Sequence, residues 1–203
     1  MAYYSINLYS DIIFKLKEKD QFDLLYSIEQ PLTIVLAKME VEGFPVDKNV
    51  LLEYKKGYEA KLKELEEAIY SLAGEKFNIA SPKQLGVILF EKLKLAGNKK
   101  GSTSIEFLKD LQGEHPIVTL VLEYRKYAKL ISTYVDGIIA FIHDDNKIHS
   151  TFNQTGTTTG RLSSSEPNLQ NISIRDEESK MIRKAFYYKD TDKYILSLDY
   201  SQI

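Results

Sequence analysis

Apolar residues recur at helical spacing through the first two-thirds of the chain. The recurrence predicts two packed helices within residues 6–39, the second of which kinks or restarts at Pro31. A third helix is predicted from Lys48 to Ala73, because Asp47 is a suitable N-cap and Gly74 a suitable stop. The apolar stripe of this third helix consists of Leu51, Tyr54, Tyr58, Leu62, Leu65, Ile69 and Leu72. Its other face alternates lysine and glutamate, which is typical of a solvent-exposed helix surface.

A second long helix is predicted downstream. Ser81 followed by Pro82 is typical of a helix start, and a short helix is expected near residues 105–111. Pro116 then begins a long amphipathic helix that is expected to reach about Ile142. The two long helices have complementary apolar stripes, so we expect them to pair as an antiparallel helical arm.

The pattern changes from Lys147 onward. Residues 147–155 are rich in Thr, Ile and Phe and predict a strand, which is followed by an irregular loop and then by a helix over residues 177–186. Residues 194–198 form a short, mainly apolar segment that predicts a strand ending at Asp199. We therefore expect a domain change near residue 145.

The composition sets limits on function. The chain has 203 residues, of which 43% are hydrophobic, so it can bury a core. It has no apolar run near the ~20 residues that a membrane helix requires and no signal peptide, so the expectation is a soluble cytoplasmic chain without membrane partners. It contains no cysteine, and its three histidines lack metal-ligand spacing. The net charge of −2 means that any surface for nucleic acid must be local.

Three segments carry polar chemistry. Residues 158–172 contain Arg161, two asparagines and a glutamine, and they are either a surface turn or a contact surface for something polar. Residues 96–104 form a basic, hydroxyl-rich loop that either grips phosphates or connects two helices. Asp199 at a strand end either begins a turn or holds a hard cation such as Mg²⁺.

Five short motifs lie in order along the chain: FNIASPKQL at 77–85, YRKYAKL at 124–130, TGRLSS at 159–164, PNLQNI at 167–172 and LDYSQI at 198–203. Together they resemble the thumb, the palm entry and the first catalytic motif of family A DNA polymerases, the bacterial DNA polymerase I type. The resemblance runs from roughly residue 25 to the end. It implies an α+β fold that is mostly α-helical, with long antiparallel thumb helices followed by a partial palm with a few β-strands.

The resemblance also implies a domain order and an activity. Residues 1–30 would be a remnant of the end of an exonuclease-like domain, residues 31–145 a helical thumb region, and residues 146–203 the N-terminal part of a palm. The longer parent would be a DNA-directed DNA polymerase, a nucleotidyltransferase of DNA replication or repair that extends a primer 3′-hydroxyl by a two-metal mechanism. Its partners would be primer–template DNA and deoxynucleoside triphosphates, in a bacterial cytoplasm or nucleoid or as a phage-encoded protein.

Site residues follow from the same motifs. Asp199 would bind both Mg²⁺ ions of the complete enzyme, and Arg175, Tyr200 and Ser201 would support the active site. The residues expected along primer and template are Arg161, Asn168, Gln170, Asn171 and Gln202. The residues expected to contact the DNA backbone are Asn78, Ser81, Lys99, Lys100, Ser102, Thr103, Arg125 and Lys129. Such donors suit a polymerase, because minor-groove edges of all base pairs share N3 or O2 acceptors and can be tested without reading sequence.

The chain also departs from the family pattern. In the family, the proofreading exonuclease normally ends in Tyr-x-x-x-Asp, whereas Tyr3 of this chain is followed four residues later by Asn7, so proofreading is not predicted. Ser173 replaces the usual proline of the family and Ala80 a commonly polar residue, and we expect the fold to tolerate both. The chain stops at Ile203, before the second catalytic carboxylate, so we expect it alone not to polymerise. An unpaired palm edge would favour self-association. The alternatives are a non-catalytic helical module that binds duplex DNA and a purely structural helical arm.

Overall fold

The computed structural model describes residues 2–96, 102–172, 177–188, 192–198 and 201, with the backbone alone for residues 2–7. Contacts divide the chain into two units. Unit 1 contains Met1–Pro45 and His143–Asn171, and unit 2 contains Val46–Ile142 and Ile172–Ile203. The predicted three-domain division remains a prediction.

Unit 1 consists of helices followed by short strands. Its helical elements are α1 (Ala2–Glu18), α2 (Phe22–Leu24), a π-helical segment π1 (Leu25–Glu29), α3 (Gln30–Glu42) and a 3₁₀ turn (Leu169–Asn171). Its strands are β1 (Phe44–Pro45), β2 (Lys147–Ile148), β3 (Thr151–Asn153) and β4 (Ser163–Ser165). They pair as two antiparallel two-stranded sheets, β1 with β2 and β3 with β4. The predicted strand over residues 147–155 is therefore two strands, because Ser150 lies between separate pairings.

The first helices of unit 1 are less packed than their pattern predicted. Leu36 is the buried apolar side chain of α3, whereas Val35 is 51% exposed and Met39 46% exposed. Pro31 lies in the first turn of α3, directly after π1, and Glu29 and Gln30 at this junction keep helical dihedral angles. The predicted restart is therefore a change from π-helical to α-helical spacing without a break in the helix. Proline has no N–H to donate to the preceding turn, and a widened turn at that point accommodates the loss.

Unit 2 is helical. Its elements are α4 (Lys48–Ala73), α5 (Pro82–Gly86), π2 (Val87–Lys92), α6 (Ile105–Asp110), α7 (Pro116–Lys129), π3 (Leu130–Asp136), α8 (Gly137–Ile139) and α9 (Glu177–Arg183). The predicted bounds of α4 are confirmed. The Asp47 carboxylate accepts from Asn49 N at 2.9 Å, and Gly74 ends the helix in the left-handed region at φ +73°. Ser81 caps α5 in the same way, with Pro82 in its first turn.

The predicted antiparallel pairing of α4 with α7 is confirmed by contacts along their length. Tyr58 packs on Tyr127 with ring centroids 5.7 Å apart, and the Tyr124 hydroxyl donates to Glu66 at 3.3 Å. The contact partners run from 58 with 127 to 66 with 124, so the two helices point in opposite directions. The buried core of this arm consists of Ile69, Ala73, Ile79, Leu85, Ile88, Leu89, Leu108, Leu111, Ile117, Val118 and Val121.

Helix α9 is tied to the same arm through Glu178. The Glu178 carboxylate accepts from Lys126 Nζ at 2.7 Å and from the Tyr127 hydroxyl at 3.2 Å, and its backbone carbonyl accepts from the Tyr58 hydroxyl at 2.9 Å. The hydrogen bond from Lys126 holds the pKa of Glu178 below its ordinary value. Ile182 of α9 is fully buried. The helix begins at Glu177, as the sequence predicts, and ends at Arg183 rather than Phe186.

The strand predicted over residues 194–198 is absent. This segment is irregular, and its side chains are exposed, Tyr194 by 86%, Leu196 by 78% and Leu198 by 84%. A strand is stabilised by pairing with a neighbour, and no other described segment pairs with this one. Residues 194–198 therefore form no strand whose unpaired edge could mediate the expected self-association, which stays a prediction. No helix in the described part of the chain is both long enough and apolar enough to cross a membrane.

Within unit 1, His149 joins the end of α3 to the turn before β2. Its Nδ1 lies 2.7 Å from the Glu40 carbonyl oxygen, and its Nε2 lies 3.1 Å from Asp145 Oδ2. Both neighbours are acceptors, so the imidazolium, which donates from both nitrogens, fits this position. The Glu40 carbonyl is the main cause of a raised pKa of His149, the Asp145 carboxylate adds to it, and burial and Lys147 oppose it.

We therefore expect unit 1 to loosen as the pH rises. The ordinary pKa of histidine is 6.5. A raised folded-state pKa stabilises fully below that value and loses its contribution as the pH rises through the folded-state pKa. Between pH 6 and pH 8.5, amide hydrogen exchange of peptides containing Glu40 or His149 should accelerate more than the pH dependence of exchange from an unfolded peptide accounts for. The excess should correspond to a loss of about 0.5–1 kcal/mol in local stability. His149→Gln should remove this pH dependence, and His115→Asn, which retains a helix cap in unit 2, should keep it. Equal pH dependence in both variants would contradict the prediction.

Candidate nucleic-acid interface

The predicted primer-reading residues of unit 1 lie on one surface. Arg161, Asn168, Gln170 and Asn171 are all exposed. Gln170 Nε2 donates to the Leu162 carbonyl at 3.1 Å, which brings the 3₁₀ turn against the residue that follows Arg161. We call these four exposed side chains, with the backbone that carries them, the polar cluster. The structure therefore brings together residues that are up to ten positions apart in sequence.

Hydrogen bonds within the loop hold the polar cluster in shape. Asn168 Oδ1 accepts from Gln170 N at 3.0 Å and from the hydroxyl of Ser164 at 3.2 Å. The buried Ser150 hydroxyl lies 2.7 Å from the Pro167 carbonyl and 3.1 Å from the Ser165 carbonyl. The Glu166–Pro167 peptide bond is cis. Asn168 thus organises the turn with its oxygen, which leaves its Nδ2 amide as the group suited to an outside acceptor.

Arg161 lies in the loop between β3 and β4. The Thr157 hydroxyl donates to the Arg161 carbonyl at 2.7 Å, which joins the two limbs of the loop on either side of its turn. The Arg161 guanidinium makes no hydrogen bond or ion pair with another residue in the described ranges. It therefore presents a fixed positive charge and a fork of donors to solvent.

A second polar site lies on the arm of unit 2. A cleft of ≈720 Å³ is lined by Ala80, Pro82, Lys83, Ser102, Thr103, Ser104, Ile105, Tyr124, Arg125 and Ala128. The helix starts of α5 and α6 border it, and side chains of Ser81 and Ser104 cap these starts. We call this region the arm cleft. Of the residues predicted to contact the DNA backbone, Ser102, Thr103 and Arg125 line the arm cleft.

Several predicted contacts in the arm also have a local structural role. The Arg125 guanidinium donates to the carbonyl of Thr103 and, at 3.3 Å, to its hydroxyl, and burial lowers the pKa of Arg125. Asn78 Oδ1 accepts from Ala80 N at 3.0 Å, and Ser81 Oγ accepts from Gln84 N at 3.4 Å. A serine hydroxyl that accepts in this way still has its own proton to donate, so a cap can also contact a phosphate. Lys129 is exposed on α7.

Other predicted site residues lie outside the described ranges: Lys99, Lys100, Arg175, Asp199, Tyr200 and Gln202. Ser201 is described and exposed. Among the described residues, no group of three or more His, Asp or Glu side chains is arranged to hold a metal ion. Sequence reasoning missed Lys83, which lines the arm cleft; its position in the first turn after the Ser81 cap was the available signal.

Comparisons with known proteins agree with this architecture. The family model described as DNA polymerase family A matches residues 48–203. DNA polymerase I of Lactococcus lactis subsp. lactis is 53% identical over 193 residues, covering 93% of this chain and 22% of that protein. DNA polymerase I of Bacillus subtilis is 47% identical over 202 residues, covering 97% of this chain and 23% of that protein.

A solved structure has the same fold. The POL domain of Pol1 from M. smegmatis, in complex with DNA primer-template and dNTP, superposes with a TM-score of 0.82 at 38% identity. The match covers 89% of this chain and 33% of that chain. The chain thus spans about a quarter of the length of the curated relatives it matches. On the extent of the family match, the chain belongs to DNA polymerase family A.

Proposed function

We propose that this chain is the thumb and first palm portion of a template-directed DNA polymerase and that it binds primer–template DNA. The observation that carries the proposal is the polar cluster, in which Gln170 is folded onto the backbone beside Arg161. Exposed amide and guanidinium donors on one ordered surface can contact the acceptors common to the minor groove of every base pair. Such contacts accept any sequence, as a template-directed enzyme requires.

The arm cleft supports the same proposal through the DNA backbone. Lys83 and the hydroxyls at the starts of α5 and α6 can meet phosphates, and the predicted contacts Lys99 and Lys100 would add charge beside them. Backbone contacts of this kind are independent of sequence and weaken with salt. The relative from M. smegmatis was solved with primer–template and dNTP, and we infer the same classes of partner for the longer protein that contains this chain.

The proposal includes nucleotidyl transfer by the longer protein in a bacterial cytoplasm. Asp199 is the carboxylate of this chain that would hold Mg²⁺, a hard cation that takes carboxylate and phosphate oxygens. When bound, Mg²⁺ neutralises charge on the transferring phosphoryl group. The residues described in the structure supply the binding surfaces, and their contribution is to orient the primer terminus.

Binding of a fluorescent primer–template by this chain tests the proposal. We expect measurable affinity at low salt, a linear fall of log affinity with log salt, and an affinity about tenfold weaker in Arg161→Ala. Lys38→Ala is the matched control, because Lys38 is an exposed cation of the same unit outside the polar cluster. Absence of binding at low salt would overturn the proposal in favour of a structural arm. Equal affinities of Arg161→Ala and Lys38→Ala would remove the role of the polar cluster.

A further inference from the structure

The segment that presents the polar cluster is fastened to the helices at the start of the chain. Lys147 Nζ pairs with Glu42 Oε1 at 2.9 Å, and Phe152 N donates to Glu40 Oε1 at 2.6 Å. Gln154, the residue after β3, makes the last of these attachments. The partners on π1 and α3 all precede residue 48, where the family match begins.

Both polar atoms of the Gln154 amide are engaged. Its Nε2 donates to Glu29 Oε2 at 2.7 Å and to the Glu29 carbonyl at 2.9 Å, and its Oε1 accepts from the Thr33 hydroxyl at 2.9 Å. A hydrogen bond to a charged acceptor is stronger than one between neutral groups. The three bonds leave the Gln154 side chain one orientation, with its amide nitrogen toward Glu29.

Gln154 is also where the Arg161 loop begins. The loop leaves β3 at Gln154 and returns in β4 at Ser163, and its two ends approach closely: a Cβ added at Gly156 would lie 2.1 Å from Ser163 Oγ. The far end is fixed by the pairing of β4 with β3. Arg161 lies on the returning limb of this loop, two residues before β4, and its carbonyl accepts from the hydroxyl of Thr157 on the limb that begins at Gln154. Fixing Gln154 therefore fixes the limb to which Arg161 is bonded.

The fold itself depends less on Gln154 than the loop does. The Thr33 hydroxyl also lies 3.0 Å from the Glu29 carbonyl, so its single proton can turn to that carbonyl when the Gln154 amide is removed. Glu29 is half-buried and its carboxylate can be hydrated. Loss of the amide leaves no buried group without a partner, the situation that is costly for stability.

We propose that Gln154 is a positioning residue that, through Glu29 and Thr33, sets where Arg161 meets the primer terminus. The proposal rests on the proposed function, because it gives a structural cause for the placement of the primer-reading cation. It also assigns a role to π1 and α3, which the family match does not cover: they anchor the loop that carries Arg161.

The test is binding of two duplexes, one with a matched and one with a mismatched primer terminus, to the complete 203-residue chain. Gln154→Ala should weaken matched binding by about fivefold to tenfold and reduce the preference for the matched terminus. Gln30→Ala is the matched control, because Gln30 is exposed and adjacent to Glu29. Thermal unfolding of each variant verifies that the chain is folded at the assay temperature.

Two further variants separate positioning from a general structural effect. Gln154→Glu places a carboxylate against Glu29 and should bind matched primer about tenfold more weakly, and adding Glu29→Gln should restore affinity to within about threefold. In a double-mutant cycle, Gln154→Ala combined with Arg161→Ala should bind no more weakly than Arg161→Ala alone, because one residue acts through the other.

Each outcome decides a claim. If Arg161→Ala weakens binding while Gln154→Ala binds as Gln30→Ala does, the positioning role is wrong and the proposed function stands. Additive effects in the double-mutant cycle, or no restoration by Glu29→Gln, also overturn the positioning role. If the unsubstituted chain does not bind primer–template, the proposed function fails and this proposal with it.

Discussion

Gly43→Ala should destabilise unit 1 by about 3 kcal/mol, since it combines backbone strain with a steric clash. Gly43 ends α3 at φ +65°, a region that residues with a Cβ rarely adopt. A Cβ at this position would lie 2.7 Å from His149 Cε1 and 2.9 Å from the backbone oxygen of Ile148. The imidazole is held by Glu40 and the oxygen belongs to a paired strand, so neither neighbour can move without loss of hydrogen bonds.

The same substitution at Gly57 is a control with the opposite sign. Gly57 lies inside α4, and a Cβ there would meet no atom within 4 Å apart from its chain neighbours and the backbone of its own helix. Alanine is favoured over glycine in a helix interior by roughly 0.5–1 kcal/mol, so Gly57→Ala should stabilise the chain. Urea unfolding, with hydrogen exchange of the β1 and β2 peptides, measures both variants. A Gly43→Ala protein as stable as the unsubstituted chain would contradict the clash.

Leu89→Ala should cost about 3 kcal/mol in unit 2, because it opens a cavity in the core of the arm. Leu89 is fully buried in π2 and belongs to the cluster that joins α4, α5, α6 and α7. Leu85 of α5 and Leu108 of α6, the two helices whose starts border the arm cleft, belong to this cluster. We therefore expect the variant to lose order in the arm cleft as well as stability.

Leu72→Ala is the matched control for the arm. Leu72 lies on α4 and is 37% exposed, so truncation should leave little cavity and cost less than about 1 kcal/mol. The difference in urea midpoint between the two variants, followed by circular dichroism, measures the effect. Equal midpoints for the two variants would show that Leu89 does not carry the core.

Local chemistry made the helices of unit 2 predictable. Asp47, Gly74 and Ser81 act on the backbone within a few residues, so the bounds of α4 and the start of α5 could be predicted from neighbouring residues alone. The segment at 194–198 has the apolar composition of a strand and is irregular, because a strand also requires a partner that lies elsewhere in sequence. Composition predicts which segments can pair and does not supply the partner.

In the candidate site, too, the sequence predicted local features and did not predict contacts between residues distant in sequence. The motif around Arg161 identified the residues of the polar cluster, but nothing in the motif shows that Gln170 folds back on Leu162. The attachment of Gln154 to Glu29 spans 125 positions, so no local pattern could predict it. Apolar periodicity also predicted packed helices in unit 1, whereas Val35 and Met39 of α3 are 51% and 46% exposed. Whether an apolar side chain is buried depends on which element packs against it, and apolar periodicity does not identify that element.

The bonds that shape the polar cluster also affect the cost of binding. Asn168 and Gln170 are already ordered by their contacts with each other and with Leu162. Freezing a rotamer-rich side chain at an interface costs about 0.5–1.5 kcal/mol, and here folding has met part of that entropic cost before nucleic acid arrives. The surface is preorganised, so its affinity for DNA and the stability of unit 1 share the same hydrogen bonds. Substitutions at these positions should therefore change both quantities together.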